Sequence, residues 1–134
     1  GRDPRRAGAG GEGVNMKRII QNLKERVGVK GALIMTGDGV VAASDLGGSL
    51  DADSVAALAS ASVLRAMKSA AELGLGSIQR LTLTAAFGRF VFVPIDELVL
   101  VVVTEPQLDL DLTLLEIAGP ARQMIAMSRL DHPM

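Results

Sequence analysis

The chain has 134 residues, of which 49% are hydrophobic, and its formal net charge is −1. A single domain is typical of this length, and the near-neutral charge argues against a nucleic-acid-binding protein that acts through a basic surface. Cysteine is absent, which excludes disulfides and thiolate metal sites, and neither a signal peptide nor an apolar run of about 20 residues is recognisable, so we expect a cytoplasmic protein without an integral membrane segment.

The first predicted helix follows a tail without periodicity. Residues 1–14 are rich in glycine, alanine and arginine, which predicts a disordered tail or a cloning remnant; a basic docking arm is the alternative. We expect the domain itself to span 15–129, with residues 130–134 frayed. The helix ends at Gly28, and its apolar stripe at helical spacing is Met16, Ile19, Ile20, Leu23 and Val27.

A β-hairpin is predicted next. Gly31–Met35 is a short apolar strand, and Val40–Ser44 is the strand that returns. The Asp38-Gly39 pair between them tolerates the positive φ angles of tight hairpin turns. A loop containing Gly47-Gly48 follows the second strand.

The longest predicted helix runs from Asp51 to Leu73 and ends at glycines 74 and 76. Its small residues fall on two faces, which predicts close contact with more than one neighbour. One face comprises Val55, Leu58, Ala59, Ser62, Ala66, Ala70 and Leu73, and a second line comprises Ala57, Ala61, Leu64 and Lys68.

Three strands and a helix complete the pattern. Ser77–Ala85 alternates between apolar and polar residues, which predicts a half-exposed strand at a sheet edge. Arg89–Ile95 is apolar on both faces, and Leu98–Thr104 is a continuous β-branched run that predicts the central strand. A final helix is expected from Asp109 or Asp111 to Ser128.

In this combination of elements the sequence resembles the roadblock / dynein light chain family. The residues that carry the likeness are Gly31–Met35 leading into Asp38–Ala42, the alanine-rich helix from Asp51, and the series from Gly88 to Val103. The resemblance implies an α+β fold of three layers, α/β/α, with a five-stranded antiparallel sheet in the order 2-1-5-4-3, the profilin-like roadblock fold. The residue pattern independently places strand five in the middle and strand three at the edge.

The resemblance also implies a homodimer in which the third strands pair edge to edge and the second helices lie side by side. The edge strand contains no proline, so a free edge would invite aggregation, and a second copy would protect it. The predicted dimer edge is Arg80, Leu81, Thr82, Leu83 and Thr84. The predicted helix interface or partner face is Ala57, Leu58, Ala61, Leu64, Arg65 and Lys68.

The function that the resemblance implies is a non-enzymatic interaction module that binds and regulates a small Ras-like GTPase, activating or scaffolding it through the dimer platform. No cofactor is expected. The alternatives are a small-ligand sensor domain and a scaffold light chain in a signalling or motor complex. A ligand sensor would need a pocket with convergent polar groups, and the apolar segments supply few.

The sequence contains only weak motifs for metal binding, nucleotide binding or catalysis. The Asp-x-Asp pairs at 51–53 and 109–111 offer carboxylates to a hard cation, but both precede helices, where they satisfy free backbone donors. Gly74-Leu75-Gly76 follows a helix, the reverse of a dinucleotide-binding turn, and no Gly-Lys-Ser or Gly-Lys-Thr sequence is present to bind GTP. The serines lack a base, since His132 is the single histidine, so we expect no enzyme.

Overall fold

A computed structural model describes residues 15–48, 50–86 and 88–106. The predicted order of helix, two strands, helix and three strands is confirmed over this part of the chain. The predicted final helix, with its Asp109–Asp111 pair, and both predicted tails lie outside the described residues. The elements are α1 (residues 15–24), β1 (Val29–Thr36), β2 (Val41–Asp45), α2 (Ala52–Glu72), β3 (Leu81–Ala85), β4 (Gly88–Ile95) and β5 (Leu98–Thr104).

The five strands form one antiparallel sheet in the order β2-β1-β5-β4-β3. Strand β5 is central, and its Leu100 is paired with Ile34 of β1 on one side and with Val93 of β4 on the other. A continuous apolar sequence suits this position because both faces of the strand are covered. The predicted sheet order is therefore confirmed, with β2 and β3 at the two edges.

Each face of the sheet packs against a helix, and the two interfaces are separate apolar cores. Helix α1 covers one face, whose buried residues include Ile34, Val91 and Leu100. Helix α2 covers the other, whose buried residues include Leu33, Phe92 and Val101. Alternation along the strands sends successive side chains to opposite cores, so the three-layer α/β/α arrangement is confirmed.

Helix α1 is shorter than its apolar stripe predicts. Its residues Met16, Ile19, Ile20 and Leu23 are buried as expected, but the helix ends at residue 24. The prediction for Val27 is wrong: it lies in the turn that leads to Gly28 and is 90% exposed. Gly28 has a φ of 87°, so the chain reverses there instead of continuing the helix.

The hairpin between β1 and β2 has the predicted Asp-Gly turn. Gly39 has a φ of 94°, a conformation that other residues rarely adopt. The Thr36 hydroxyl donates a hydrogen bond to the Asp38 carboxylate and accepts one from the backbone N–H of Val40 at 3.1 Å. Val40 was predicted as the first residue of the returning strand, but it belongs to the turn, and β2 begins at Val41.

Helix α2 begins at the predicted cap and buries a face that overlaps only in part with the one traced in the sequence. The Asp51 carboxylate accepts hydrogen bonds from the backbone N–H of Ser54 at 3.0 Å and from its hydroxyl at 2.8 Å. Of the face traced in the sequence, Leu58 and Leu73 are 45% and 72% exposed. The residues that the helix buries are Val55, Ala56, Ala59, Ser60, Val63 and Ala70.

Strand β3 is also shorter than predicted. The alternating pattern begins at Ser77, but the strand covers only Leu81–Ala85, and Arg80 lies just before it. Gly74 and Gly76 have φ values of 68° and 86°, so the segment after α2 turns before it can join the sheet. The edge position of the strand is nevertheless as predicted.

Candidate functional site

A groove of about 450 Å³ runs between helix α2 and the edge strand β3. It brings together residues predicted to lie on two separate surfaces, the strand edge and the second helix. The strand supplies Leu81 and Leu83, both predicted. The helix supplies Leu58, Ala61, Ser62, Arg65, Ala66 and Ser69. The groove is mainly apolar, and Arg65 is the one charged side chain among the described residues that line it.

The strand side of the groove is an open sheet edge. Among the described strands, β3 pairs with β4 alone, with Leu83 opposite Phe90. Leu81 packs against the core beneath α2, whereas Leu83 is 38% exposed. Thr82 is half-buried and Thr84 is exposed. An apolar side chain beside free backbone donors and acceptors is a template for another strand.

Arg89 fixes the far end of this edge. Its Nε donates a hydrogen bond to the Thr84 hydroxyl at 3.1 Å, and an Nη donates to the Pro106 carbonyl at 3.1 Å. The side chain therefore connects β3 with the segment that follows β5. This anchoring holds the edge strand in a defined position even though it pairs on one side only.

The predicted residues of helix α2 divide into two sets. Leu58, Ala61 and Arg65 line the groove beside β3. Ala57, Leu64 and Lys68 are exposed but lie outside the lining, and Leu64 is 58% exposed. Successive turns of a helix place residues three and four apart on one side, so the second set forms a line on the outer side of α2.

Sequence reasoning missed three residues of the groove: Ser62, Ala66 and Ser69. The first two were placed on the same helix face as Leu58 but were not assigned to an interface. Their shared stripe was recognised, but a stripe of small residues fits an interface as well as it fits an interior. The available signal was the spacing of Ser62, Ala66 and Ser69, which places them beside Leu58 and Arg65.

Asp51, at the start of α2, acts as a structural group. Asp51 was predicted to cap the helix, and the geometry confirms this. The hydroxyl of Ser54, and then its backbone N–H, hold the pKa of the Asp51 carboxyl below its ordinary value of 3.8. No group of three or more His, Asp or Glu residues in the described part of the chain is placed to hold a metal ion. The absence of a cofactor stays a prediction.

Among the described residues, no helix is both long enough and apolar enough to cross a membrane.

The sequence matches a known protein family and its relatives. The model of the Roadblock/LC7 domain matches residues 16–104. The chain is 34% identical over 110 residues to "Uncharacterized protein MJ1340" of Methanocaldococcus jannaschii, an alignment that covers 82% of this chain and 96% of that protein. A second protein of the same organism, "Uncharacterized protein MJ0310", has the same identity and coverage.

Solved structures with the same fold extend the comparison. Myxococcus xanthus MglB is 18% identical, with a TM-score of 0.81 over 88% of this chain and 90% of that chain. A Roadblock/LC7 domain from Streptomyces avermitilis is 18% identical, with a TM-score of 0.74 over 80% and 92% of the two chains. Profilin IB of Acanthamoeba castellanii is 17% identical, with a TM-score of 0.59 over 84% and 98%. From the family match and the sheet order together, this chain belongs to the Roadblock/LC7 domain family.

Proposed function

We propose that this protein is a non-enzymatic homodimeric module that binds a small Ras-like GTPase and regulates it through the dimer platform. Membership of the roadblock family supports the role, since the family resemblance implies GTPase regulation. The observation that carries the proposal is the open edge of β3 beside the apolar groove. The protein would not hydrolyse GTP itself, because its sequence has no Gly-Lys-Ser or Gly-Lys-Thr motif.

The edge of β3 is suited to pair with a second copy. Leu83 is partly exposed on the strand, and Leu58 is partly exposed across the groove. A two-fold axis beside β3 would place each of these residues near its counterpart, because a two-fold interface brings the same patch from both subunits together. Strand pairing would satisfy the free backbone groups of β3, and the groove would bury its apolar walls.

The other edge of the sheet is less suited to self-association. The pairing of β2 with β1 shifts register between Ile34 and Met35, which is the mark of a β-bulge. Asp45 at the end of β2 forms an ion pair with Lys24 of α1 at 2.8 Å. Bulges and charged side chains are devices that discourage edge-to-edge pairing, so β3 is the preferred edge.

The outer side of α2 is the proposed partner surface. Leu64 and Lys68 lie outside the groove, so a dimer that pairs through β3 can leave both side chains accessible. Leu64 is apolar and Lys68 is a cation, so together they can contact a partner surface that contains both apolar and charged groups. Regulation would follow from a difference in affinity for the two nucleotide states of the GTPase, which shifts the population of its switch conformations.

The dimer is tested by sedimentation equilibrium of the wild-type protein and the Leu83→Asp variant. We expect a dimer mass for the wild type and a folded monomer for the variant, because two carboxylates would be buried near the two-fold axis. The matched control is Ser44→Asp, which adds the same charge at an exposed position of the opposite edge. A monomeric wild type, or a dimeric Leu83→Asp variant with the control unchanged, would refute edge pairing.

The regulatory role is tested by GTP turnover of a small Ras-like GTPase encoded beside the gene for this protein. Turnover is measured with GTP, and binding is measured with the GDP form and with a non-hydrolysable GTP form of the GTPase. We expect binding to favour one form, and we expect Leu64→Asp to weaken it without changing the dimer mass. Lys17→Glu, an exposed substitution on α1, is the control. Absence of binding to either form, together with unchanged turnover, would refute the proposed regulation of the GTPase.

A further inference from the structure

The groove between α2 and β3 carries a positive charge that a homodimer would double. Arg65 is the one charged residue among the described residues of the lining. Its side chain is exposed, and it forms no hydrogen bond or ion pair with the described part of the chain. Water therefore solvates the guanidinium group in a single subunit, and a dimer that closes the groove would remove part of that water.

The position of Arg65 on the helix brings the two charges close together. It lies beside the middle of the helix segment that lines the groove, which extends from Leu58 to Ser69. A two-fold axis that passes across this segment makes the two α2 helices antiparallel. When the middles of the two segments face each other, Arg65 and Arg65 of the partner subunit lie within about 5 Å of each other along the helix axis. Like charges at this separation repel, and more strongly where an interface excludes water.

Helix α2 has no carboxylate at this place to balance the two charges. The acidic residues within the helix are Asp53 and Glu72, and the nearer one, Glu72, is about two helical turns from Arg65, or about 10 Å. Ser62 and Ser69 are the polar neighbours in the lining, since residues three and four apart lie on one side of a helix. The middle of the helix pair therefore has cations and hydroxyl donors, and its charge is complementary to a small anion.

We propose that the dimer binds one inorganic phosphate ion between its two Arg65 side chains and that this ion strengthens the dimer. The site rests on the proposed homodimer, because each subunit supplies only half of it. A guanidinium group donates two parallel hydrogen bonds to phosphate oxygens, and the hydroxyls of Ser62 and Ser69 donate to the remaining oxygens. Ala61 and Ala66 let the helices approach closely, so the space between them suits a free ion rather than a phosphate group on a larger molecule.

The test is sedimentation equilibrium in phosphate and in chloride at the same pH and ionic strength, so that general screening is constant. We expect the dissociation constant of the dimer to be about tenfold smaller in phosphate, as hydrogen bonds to a charged group would give. Calorimetric titration of the dimer with phosphate should give one ion for each dimer. Glycerol 3-phosphate carries the same group on a larger molecule and should not replace the free ion.

The variant is Arg65→Gln, which removes the charge and should form a dimer with the same dissociation constant in both salts. The matched control is Arg18→Gln, an exposed arginine on α1, which should retain the full effect of phosphate. The phosphate site is overturned if the wild-type dimer has the same dissociation constant in both salts, if Arg65→Gln still responds to phosphate, or if glycerol 3-phosphate acts as phosphate does. A wild type that is monomeric in both salts would refute the homodimer itself, and the site with it.

Discussion

The hydroxyl of Ser60 donates a 2.8 Å hydrogen bond to the backbone carbonyl of Gly37. The two residues are 23 positions apart, and Ser60 is 9% exposed. The bond joins the middle of α2 to the turn between β1 and β2. Gly39 of the same turn faces the helix, because a Cβ added there would lie 3.5 Å from the Cβ of Ser60. The contact therefore fixes the helix against one end of the sheet.

Replacement of Ser60 by alanine should destabilise the protein by about 1 kcal/mol. This loss of stability is small for a broken hydrogen bond because Gly37 is exposed. Water can therefore donate to the Gly37 carbonyl in place of the Ser60 hydroxyl. The measurement is the free energy of unfolding in denaturant. Ser69→Ala, an exposed change on the same helix, is the control and should change it by less than about 0.5 kcal/mol. Equal effects of the two changes would contradict the role of the bond.

Gly31 lies against the backbone of Leu46 with no room for a side chain. A Cβ at position 31 would lie 2.6 Å from both the Cα and the carbonyl oxygen of Leu46. Gly31→Ala must therefore displace backbone atoms, and we expect a loss of about 1 to 3 kcal/mol of stability. The measurement is again denaturant unfolding.

The control for this change is Gly37→Ala. A Cβ there would have one neighbour, the Glu97 carbonyl oxygen at 3.9 Å, which is an ordinary contact. This variant should remain close to the wild type in stability. If Gly31→Ala and Gly37→Ala unfold at the same denaturant concentration, the backbone of Leu46 does not exclude a side chain at position 31.

The sheet could be predicted from the sequence because its strands carry strong, local signals. The β-branched run at Leu98–Thr104 requires two covered faces, and the Asp38-Gly39 pair requires a tight turn. Both were confirmed. The sheet order also needed the family resemblance, since no local pattern states which strands are neighbours.

The face of α2 could not be predicted in the same way. Alanine and serine occur all around this helix, so apolar periodicity does not select one side. Ser60 is buried because Gly37 supplies an acceptor, and that partner is 23 residues away. Leu58 is exposed because the neighbouring strand β3 leaves a groove beside it. Contacts between residues this far apart in the chain cannot be predicted from the local sequence.

The ion pair between Lys24 and Asp45 should contribute little to stability. Their side chains are 31% and 49% exposed, and the Nζ to Oδ1 distance is 2.8 Å. Pairs exposed to this degree contribute about 0 to 1 kcal/mol and are screened by salt. A double-mutant cycle with Lys24→Met and Asp45→Asn should give a coupling energy in that range that decreases at high salt. A larger, salt-independent coupling would show that the pair is more than a surface contact.

The Asp51 cap predicts an effect of pH on stability. Hydrogen bonds from the hydroxyl and the backbone N–H of Ser54 favour the charged carboxylate, so the pKa of Asp51 in the folded protein is below its ordinary value of 3.8. The unfolded chain then binds a proton more readily than the folded chain. The contribution of this group is fully present above the unfolded pKa and is lost as the pH falls through the folded pKa.

The variant that tests this effect is Asp51→Asn, which retains an oxygen to accept the bond from the Ser54 N–H but does not titrate. We expect the free energy of unfolding of the wild type to fall more steeply than that of the variant between about pH 5 and about pH 2. The measurement is denaturant unfolding across that range, and the quantity compared is the difference between the two proteins at each pH. Parallel curves would mean that the bonds from Ser54 do not favour the charged form of Asp51 in solution.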